Sequence, residues 1–181
     1  MEVELHTTAE VKELLSNLEI IKRFPMICYD KDESRIEGKT AEEIMDEAKT
    51  MNYKGEWMVF ISMGVVVGLA CAQVEEKKTR NLFLMDFEVA TDAQGNGFSN
   101  IMLDYVFKYA RNHGCQYITL MAFDDSAFEY WKHQGFSVST KTTPRLRLLF
   151  KKVYPQLAHS ITASAISQAS ISSSSSSEVH A

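Results

Sequence analysis

Asp86 and Glu88 stand two residues apart in the run Leu82-Phe-Leu-Met-Asp-Phe-Glu-Val89, and Gln94-Gly-Asn-Gly-Phe-Ser99 follows it closely. Carboxylates accept protons. At a spacing of two, both side chains share one face of a regular strand, and a bulge between them would split them. If that face lines a cleft, either acid can take a proton directly or through water; otherwise both are solvent-facing strand residues. Glycines at positions 95 and 97 suit different chemistry. They allow backbone angles that other residues resist, and they remove side chains that would block a ligand. Successive N–H groups can then converge on a phosphate or pyrophosphate at the positive end of a helix.

These residues need particular elements to hold them. Leu82 to Val89 is of strand length and rich in aromatic and aliphatic side chains, while Ile101, Leu103, Val106, Phe107 and Ala110 recur at helical spacing. The glycine loop therefore joins a strand to an amphipathic helix running from Gly97 to about Asn112. A Rossmann fingerprint does not fit, because Asn100 occupies the place of its third glycine and no early βαβ unit surrounds it. A P-loop does not fit either, since no Gly-Lys-Ser/Thr follows.

Read as Gln94-Gly-Asn-Gly97-Phe-Ser99 after Val89-Ala-Thr-Asp92, the segment resembles the pyrophosphate loop of the GNAT superfamily of N-acetyltransferases, Arg/Gln-x-x-Gly-x-Gly/Ala, with Ser99 in the small final position. Asp124-Asp-Ser-Ala-Phe-Glu-Tyr-Trp-Lys-His-Gln-Gly-Phe136 resembles a second element of that family, Asn-x-x-Ala-x-x-x-Tyr-x-x-x-Gly-Phe. The resemblance implies an acetyl-CoA-dependent transfer of an acetyl group to a primary amine by direct attack in a ternary complex. The acceptor would be a small-molecule amine or a protein amine. It implies that the strand before the loop splays from its neighbour. The backbone of Phe87, Glu88 and Val89 then faces pantetheine and the thioester oxygen, while Gln94, Gly95, Asn96, Gly97, Phe98 and Ser99 hold the pyrophosphate.

Amine transfer also requires removal of a proton from a nitrogen of reference pKa about 10.4. Glu88, closer to the expected splay, is the first candidate base, and Asp86 the second. The family's tyrosine falls at Trp131, whose indole cannot protonate a leaving thiolate, so Tyr130, one position earlier, is the candidate acid. An aromatic without a hydroxyl after the tyrosine also resembles the histone-acetyltransferase branch. That branch carries its glutamate near the start of the strand, where Phe83 stands here. Packing of Tyr130, Trp131 and Phe136 against a core is the competing reading. The alternative function is a catalytically weak acyl-CoA-binding or interaction module with the same fold.

The rest of the chain bounds these readings. A length of 181 residues favours one globular domain. No apolar run approaches the roughly 20 residues that span a bilayer, and Met1-Glu-Val-Glu-Leu-His lacks a signal peptide's basic start and apolar stretch. The expectation is an intracellular protein, cytoplasmic or nuclear, without a membrane partner. A formal charge of -5 disfavours direct nucleic-acid binding and favours cationic substrates. Cys28, Cys71 and Cys115 are scattered and odd in number, which fits buried or free thiols better than disulfides or a zinc site, and no metal is expected. His113 and His133 read as residues at helix C-termini.

A helix from Thr8 with Val11, Leu14, Leu15 and Leu18 on one face, and another capped by Thr40 with Glu43 in a capping box, precede the sheet. Phe24 to Asp32 reads as irregular. Trp57–Ser62 and Val65–Val74 read as a hairpin about Met63-Gly64, with Glu75 to Arg80 turning into the next strand. Gln116 to Ala122 reads as a strand, Ser126 to His133 as a helix, and Phe136 to Thr140 and Arg145 to Val153 as two further strands. The order predicts an α/β (α+β) domain over residues 1–155 with a mixed, mostly antiparallel sheet flanked by helices, the order also implied for a GNAT fold. Residues 156–181, ending in a serine run, lack the apolar residues to offset ordering entropy and read as a disordered tail.

Overall fold

A computed structural model describes residues 1–48, 54–75, 80–140 and 147–154. Within them the chain runs β1 (Glu2–His6), α1 (Thr8–Leu14), α2 (Leu18–Ile21), α3 (Pro25–Tyr29), α4 (Ala41–Glu47), β2 (Glu56–Ser62), β3 (Val65–Glu75) and β4 (Asn81–Val89). It continues through α5 (Phe98–Asn112), β5 (Tyr117–Ala122), α6 (Asp125–His133), β6 (Ser137–Val138) and β7 (Arg147–Lys152). The strands form one seven-stranded sheet in the order β1-β2-β3-β4-β5-β7-β6. Every pairing is antiparallel except β4 with β5. The mixed, mostly antiparallel α/β architecture is thus the one the sequence leads to.

Residues 76–79, 141–146 and 155–181 lie outside the described residues, so the expected turn after Glu75, the link between the last two strands and the expected disordered tail fall there. Among the described residues, no helix is long and apolar enough to cross a membrane.

The central strands carry the core. From Val67 through Ala72, β3 is buried at every position, as are Trp57 to Phe60 of β2, so these strands read as apolar runs rather than alternations. Met63 and Gly64 both take positive φ, the geometry of a tight hairpin turn. Thr7 closes a capping box with Glu10 on α1, and Thr40 closes one with Glu43 on α4.

Three local expectations are corrected. Glu2–His6 is an edge strand on β2, absent from the sequence reading. The first helix stops at Leu14, because Asn17 accepts a hydrogen bond from the Glu19 N–H and starts a new helix. Pro25–Tyr29 is helical rather than irregular: proline sits at its first turn with φ already suited to a helix.

Two features of β4 shape the site. Its register with β3 shifts between Cys71 and Ala72, which pair with Asp86 and Leu84, so Met85 is the extra residue of a bulge. Met85 packs its terminal methyl toward Gly55, where an added Cβ would lie only 2.3 Å from it. Further on, pairing with β5 ends at Leu84 with Leu120, although β4 continues to Val89 and β5 to Ala122. The two parallel strands therefore part beyond Leu84.

Candidate active site

A cleft of about 830 Å³ opens where β4 and β5 part, bounded by α3, the glycine loop and α6. Asp86, Phe87, Glu88, Val89, Gln94, Gly95, Gly97, Phe98, Ser99 and Tyr130 all line it. Of the candidate catalytic and cofactor-binding residues, Asn96 is the one outside that lining; its side-chain amide donates to the Ala93 carbonyl at 3.2 Å and braces the loop from within.

The glycine loop is open on the cleft side. After β4 the chain makes a 3-10 turn at Thr91–Ala93, and both Gly95 and Gly97 take φ of +78°. An added Cβ at either would meet nothing within 4 Å, so the backbone there faces open space. Gly97 is the N-cap of α5, and no side chain caps the helix. An uncapped, fifteen-residue helix opening onto a cleft presents N–H groups and the positive end of its dipole to an anion. The Gln94 amide donates to the Val89 carbonyl at 3.3 Å, folding the loop onto the end of β4.

Arg23 secures the same loop from the other side. Its carbonyl accepts from the Thr91 N–H at 2.9 Å, and its guanidinium pairs with Asp92 at 2.9 Å. This tie was not legible from sequence, since it joins residues far apart in a segment without a motif.

Asp86 and Glu88 share one face of β4, because the bulge at Met85 precedes both and their pairing with Cys71 and Leu69 is regular. Their environments differ. Glu88, 7 % exposed, accepts from the Met26 N–H at 3.0 Å through Oε1 and from the Ile27 N–H at 2.9 Å through Oε2. It serves as the cap of α3, whose own N-cap is Phe24, a residue with no acceptor. The available sequence signal was Pro25 at a helix start preceded by a side chain that cannot cap it. Asp86 has no such support: its Oδ2 is buried without a hydrogen-bond partner. Burial pushes both carboxyls up to about 7. The α3 N–H groups and Lys31 oppose that rise at Glu88, whereas Glu88 and Asp30 reinforce it at Asp86. Charge therefore settles first on Glu88, and Asp86 holds its proton more readily.

Tyr130 and Trp131 divide the aromatic work. Trp131, 7 % exposed, packs edge-on against Phe87 at 5.3 Å and Phe136 at 5.2 Å, filling the space beside the parted strands. Phe136 is core, as the packing reading had it. The Tyr130 hydroxyl is buried without a hydrogen bond of normal geometry; burial raises its pKa, and the Ser99 hydroxyl nearby pulls it the other way. Asp124 caps α6 through the Ala127 N–H at 2.7 Å.

The other candidates are structural. Cys28, Cys71 and Cys115 are buried free thiols. His113 closes α5 with its Nδ1 at 2.9 Å from the Tyr109 carbonyl, and the His133 Nδ1 lies 2.7 Å from the Glu129 carbonyl. Among the described residues, no group of three or more His, Cys, Asp or Glu side chains is placed to hold a metal ion.

Comparison with known proteins agrees with this geometry. No curated protein matches the sequence significantly. Solved structures do match in fold. Tetrahymena GCN5 is 16 % identical with a TM-score of 0.60, covering 87 % of this chain and 99 % of that one. The PaiA N-acetyltransferase from Thermoplasma acidophilum, solved in complex with coenzyme A, is 15 % identical with a TM-score of 0.57, covering 84 % of this chain and 99 % of that one. An aminoglycoside 6'-acetyltransferase type Ii is 17 % identical with a TM-score of 0.57 over 87 % of this chain and 100 % of that one. A strand that parts from its parallel neighbour, an open glycine turn and an uncapped helix fit the acyl-CoA co-substrate of one family. The model of that family, the acetyltransferase (GNAT) family, matches residues 19–136, and the chain belongs to it.

Proposed function

We propose that the protein is an N-acetyltransferase that passes an acetyl group from acetyl-CoA to a primary amine by direct attack in a ternary complex. The observation that carries this reading is that the open glycine turn at α5 and Asp86, whose buried Oδ2 has no hydrogen-bond partner, line the same cleft. Bound acetyl-CoA supplies the acetyl group as an activated thioester. Gly95, Gly97 and the first turn of α5 hold its pyrophosphate through backbone N–H groups. The β4 backbone from Phe87 to Val89, past the last residue paired with β5, aligns the pantetheine and directs an N–H at the thioester oxygen.

Asp86 rather than Glu88 takes the amine proton in this reading. Both Glu88 oxygens are engaged by α3, so its part is to fix α3 against β4. A carboxyl near 7 is well matched to general-base work at neutral pH. As the nitrogen bonds to the acetyl carbon, Asp86 accepts the nitrogen's proton. Tyr130, kept protonated by burial, gives its own proton to the departing sulfur and regains one from solvent.

Thiol release from acetyl-CoA, followed with a mixed panel of primary amines, tests the proposal. Amine-dependent release that Asp86→Asn suppresses supports it. Tight acetyl-CoA binding with no release for any amine would leave the non-catalytic acyl-CoA-binding module as the better description.

A further inference from the structure

The acceptor side of the cleft is lined by side chains that no step above uses. Ala72 pairs with Leu84 and Cys71 with Asp86, while Leu84 pairs with Leu120. Paired residues on neighbouring strands point to one face and successive residues alternate, so Met121 lies opposite Leu120, on the face of Asp86. Met26 of α3 and Met85 of the bulge also line this end, each half-buried. Phe123, just past β5, lines it while 72 % exposed.

A large exposed ring beside the half-buried thioethers of Met26 and Met121 gives this concavity apolar surface that the fold leaves partly uncovered, while Met85 turns its methyl toward Gly55. Methionines adapt their shape and pack well on aromatic rings. Beside Phe123, Asp124 and Ser126 also line the cleft, and the Asp124 carboxylate is taken up as the cap of α6 through the Ala127 N–H. Both Glu88 oxygens are engaged by α3, and the Asp86 Oδ2 has no partner. Asp30 is paired with Arg35. At the rim, Lys31 and Glu33 both line the cleft with opposite charges, which offset for a second ammonium group. Several sugar hydroxyls, or the further cations of a polyamine, would be desolvated there with little in return.

We propose that the acceptor is a primary amine on a short apolar, aromatic body, with its nitrogen at Asp86 and its ring against Met26, Met121 and Phe123. This rests on reading the cleft as an N-acetyltransferase site. Truncating Phe123 tests it with little risk to the fold, because that ring is mostly outside the core.

In the full chain, thiol release is measured with 2-phenylethylamine, ethylamine, spermidine, an amino sugar and a lysine peptide. The expected result is a kcat/KM for 2-phenylethylamine about 10- to 100-fold above each of the others, the range for burying one phenyl ring. Phe123→Ala and Met121→Ala should erase most of that advantage, read as the ratio of kcat/KM for 2-phenylethylamine to that for ethylamine in the same variant. Faster release with spermidine, the amino sugar or the peptide would overturn the acceptor class and leave the transferase reading standing. Release with no amine would instead overturn the transferase reading. Calorimetry of 2-phenylethylamine against ethylamine then decides the subsite: a preference lost in Phe123→Ala upholds it, and equal affinities overturn it.

Discussion

Glu88 accepts two backbone hydrogen bonds from the start of α3, while Asp86, on the same face of β4, keeps a buried carboxyl oxygen with none. One acid thus supports the wall of the cleft, and the other lines it with a buried oxygen that no protein group satisfies. Proximity couples them, since the Glu88 charge raises the Asp86 pKa. A structural carboxylate in this way helps set the proton affinity of its neighbour.

Asp86→Asn should lower kcat by about 100- to 10,000-fold with acetyl-CoA affinity little changed, the range for loss of a general base. The wild-type rate should rise with pH through about 7 as Asp86 ionises, and that limb should vanish in the variant. Stability gives a second readout. The folded-state pKa lies above the ordinary carboxylate value, so the stability contributed by the protonated acid is present below that value and lost as pH rises through about 7. The melting temperature of Asp86→Asn relative to wild type should therefore increase from pH 5 to pH 8. A flat difference would show that Asp86 titrates normally.

Glu88→Gln should behave differently. An amide can offer one oxygen to α3 but turns its NH2 toward the other N–H, so the variant should lose about 1–2 kcal/mol of stability by denaturant titration. Removing the negative charge also lowers the Asp86 pKa, so the acidic limb of the rate profile should move to lower pH while remaining visible. Disappearance of that limb would return the base to Glu88.

The strand, glycine turn and helix from Leu82 to Asn112 were legible because each has a local cause: apolar content, positive φ at Gly95 and Gly97, and helical periodicity. The helix α3 was not, because the acceptor that satisfies its N-terminus is Glu88, 62 residues from Met26. The same long-range bond separates the environments of Asp86 and Glu88, which their spacing alone left equivalent. Likewise, the bulge at Met85 depends on pairing with Cys71 and Ala72, and the first strand exists only through its pairing with β2.

At the loop, both glycines take φ of +78°, so Gly95→Ala or Gly97→Ala should cost about 1–2 kcal/mol through left-handed strain alone. Open space around each Cβ position means that neither alanine clashes. Gly95→Glu and Gly97→Glu carry the same strain and add a carboxylate at the proposed pyrophosphate site. They should match the alanine variants in stability and abolish acetyl-CoA binding by calorimetry. Wild-type affinity in both glutamate variants would remove the phosphate role of the loop.

Tyr130 offers a test that separates acid catalysis from packing. Its hydroxyl is buried without a normal hydrogen bond, so Tyr130→Phe removes an unsatisfied polar group and keeps the ring in place beside Trp131 at 5.0 Å. Melting temperature should be unchanged or slightly higher, because a buried hydroxyl without a partner contributes no net stability. If Tyr130 protonates the departing thiolate, kcat should fall by about 100-fold or more while the KM for acetyl-CoA stays near wild type. The loss should shrink with an acyl thioester whose thiol is more acidic, since a better leaving group needs less help from a proton donor. Wild-type turnover with both donors would leave Tyr130 as a packing residue and assign the proton to solvent.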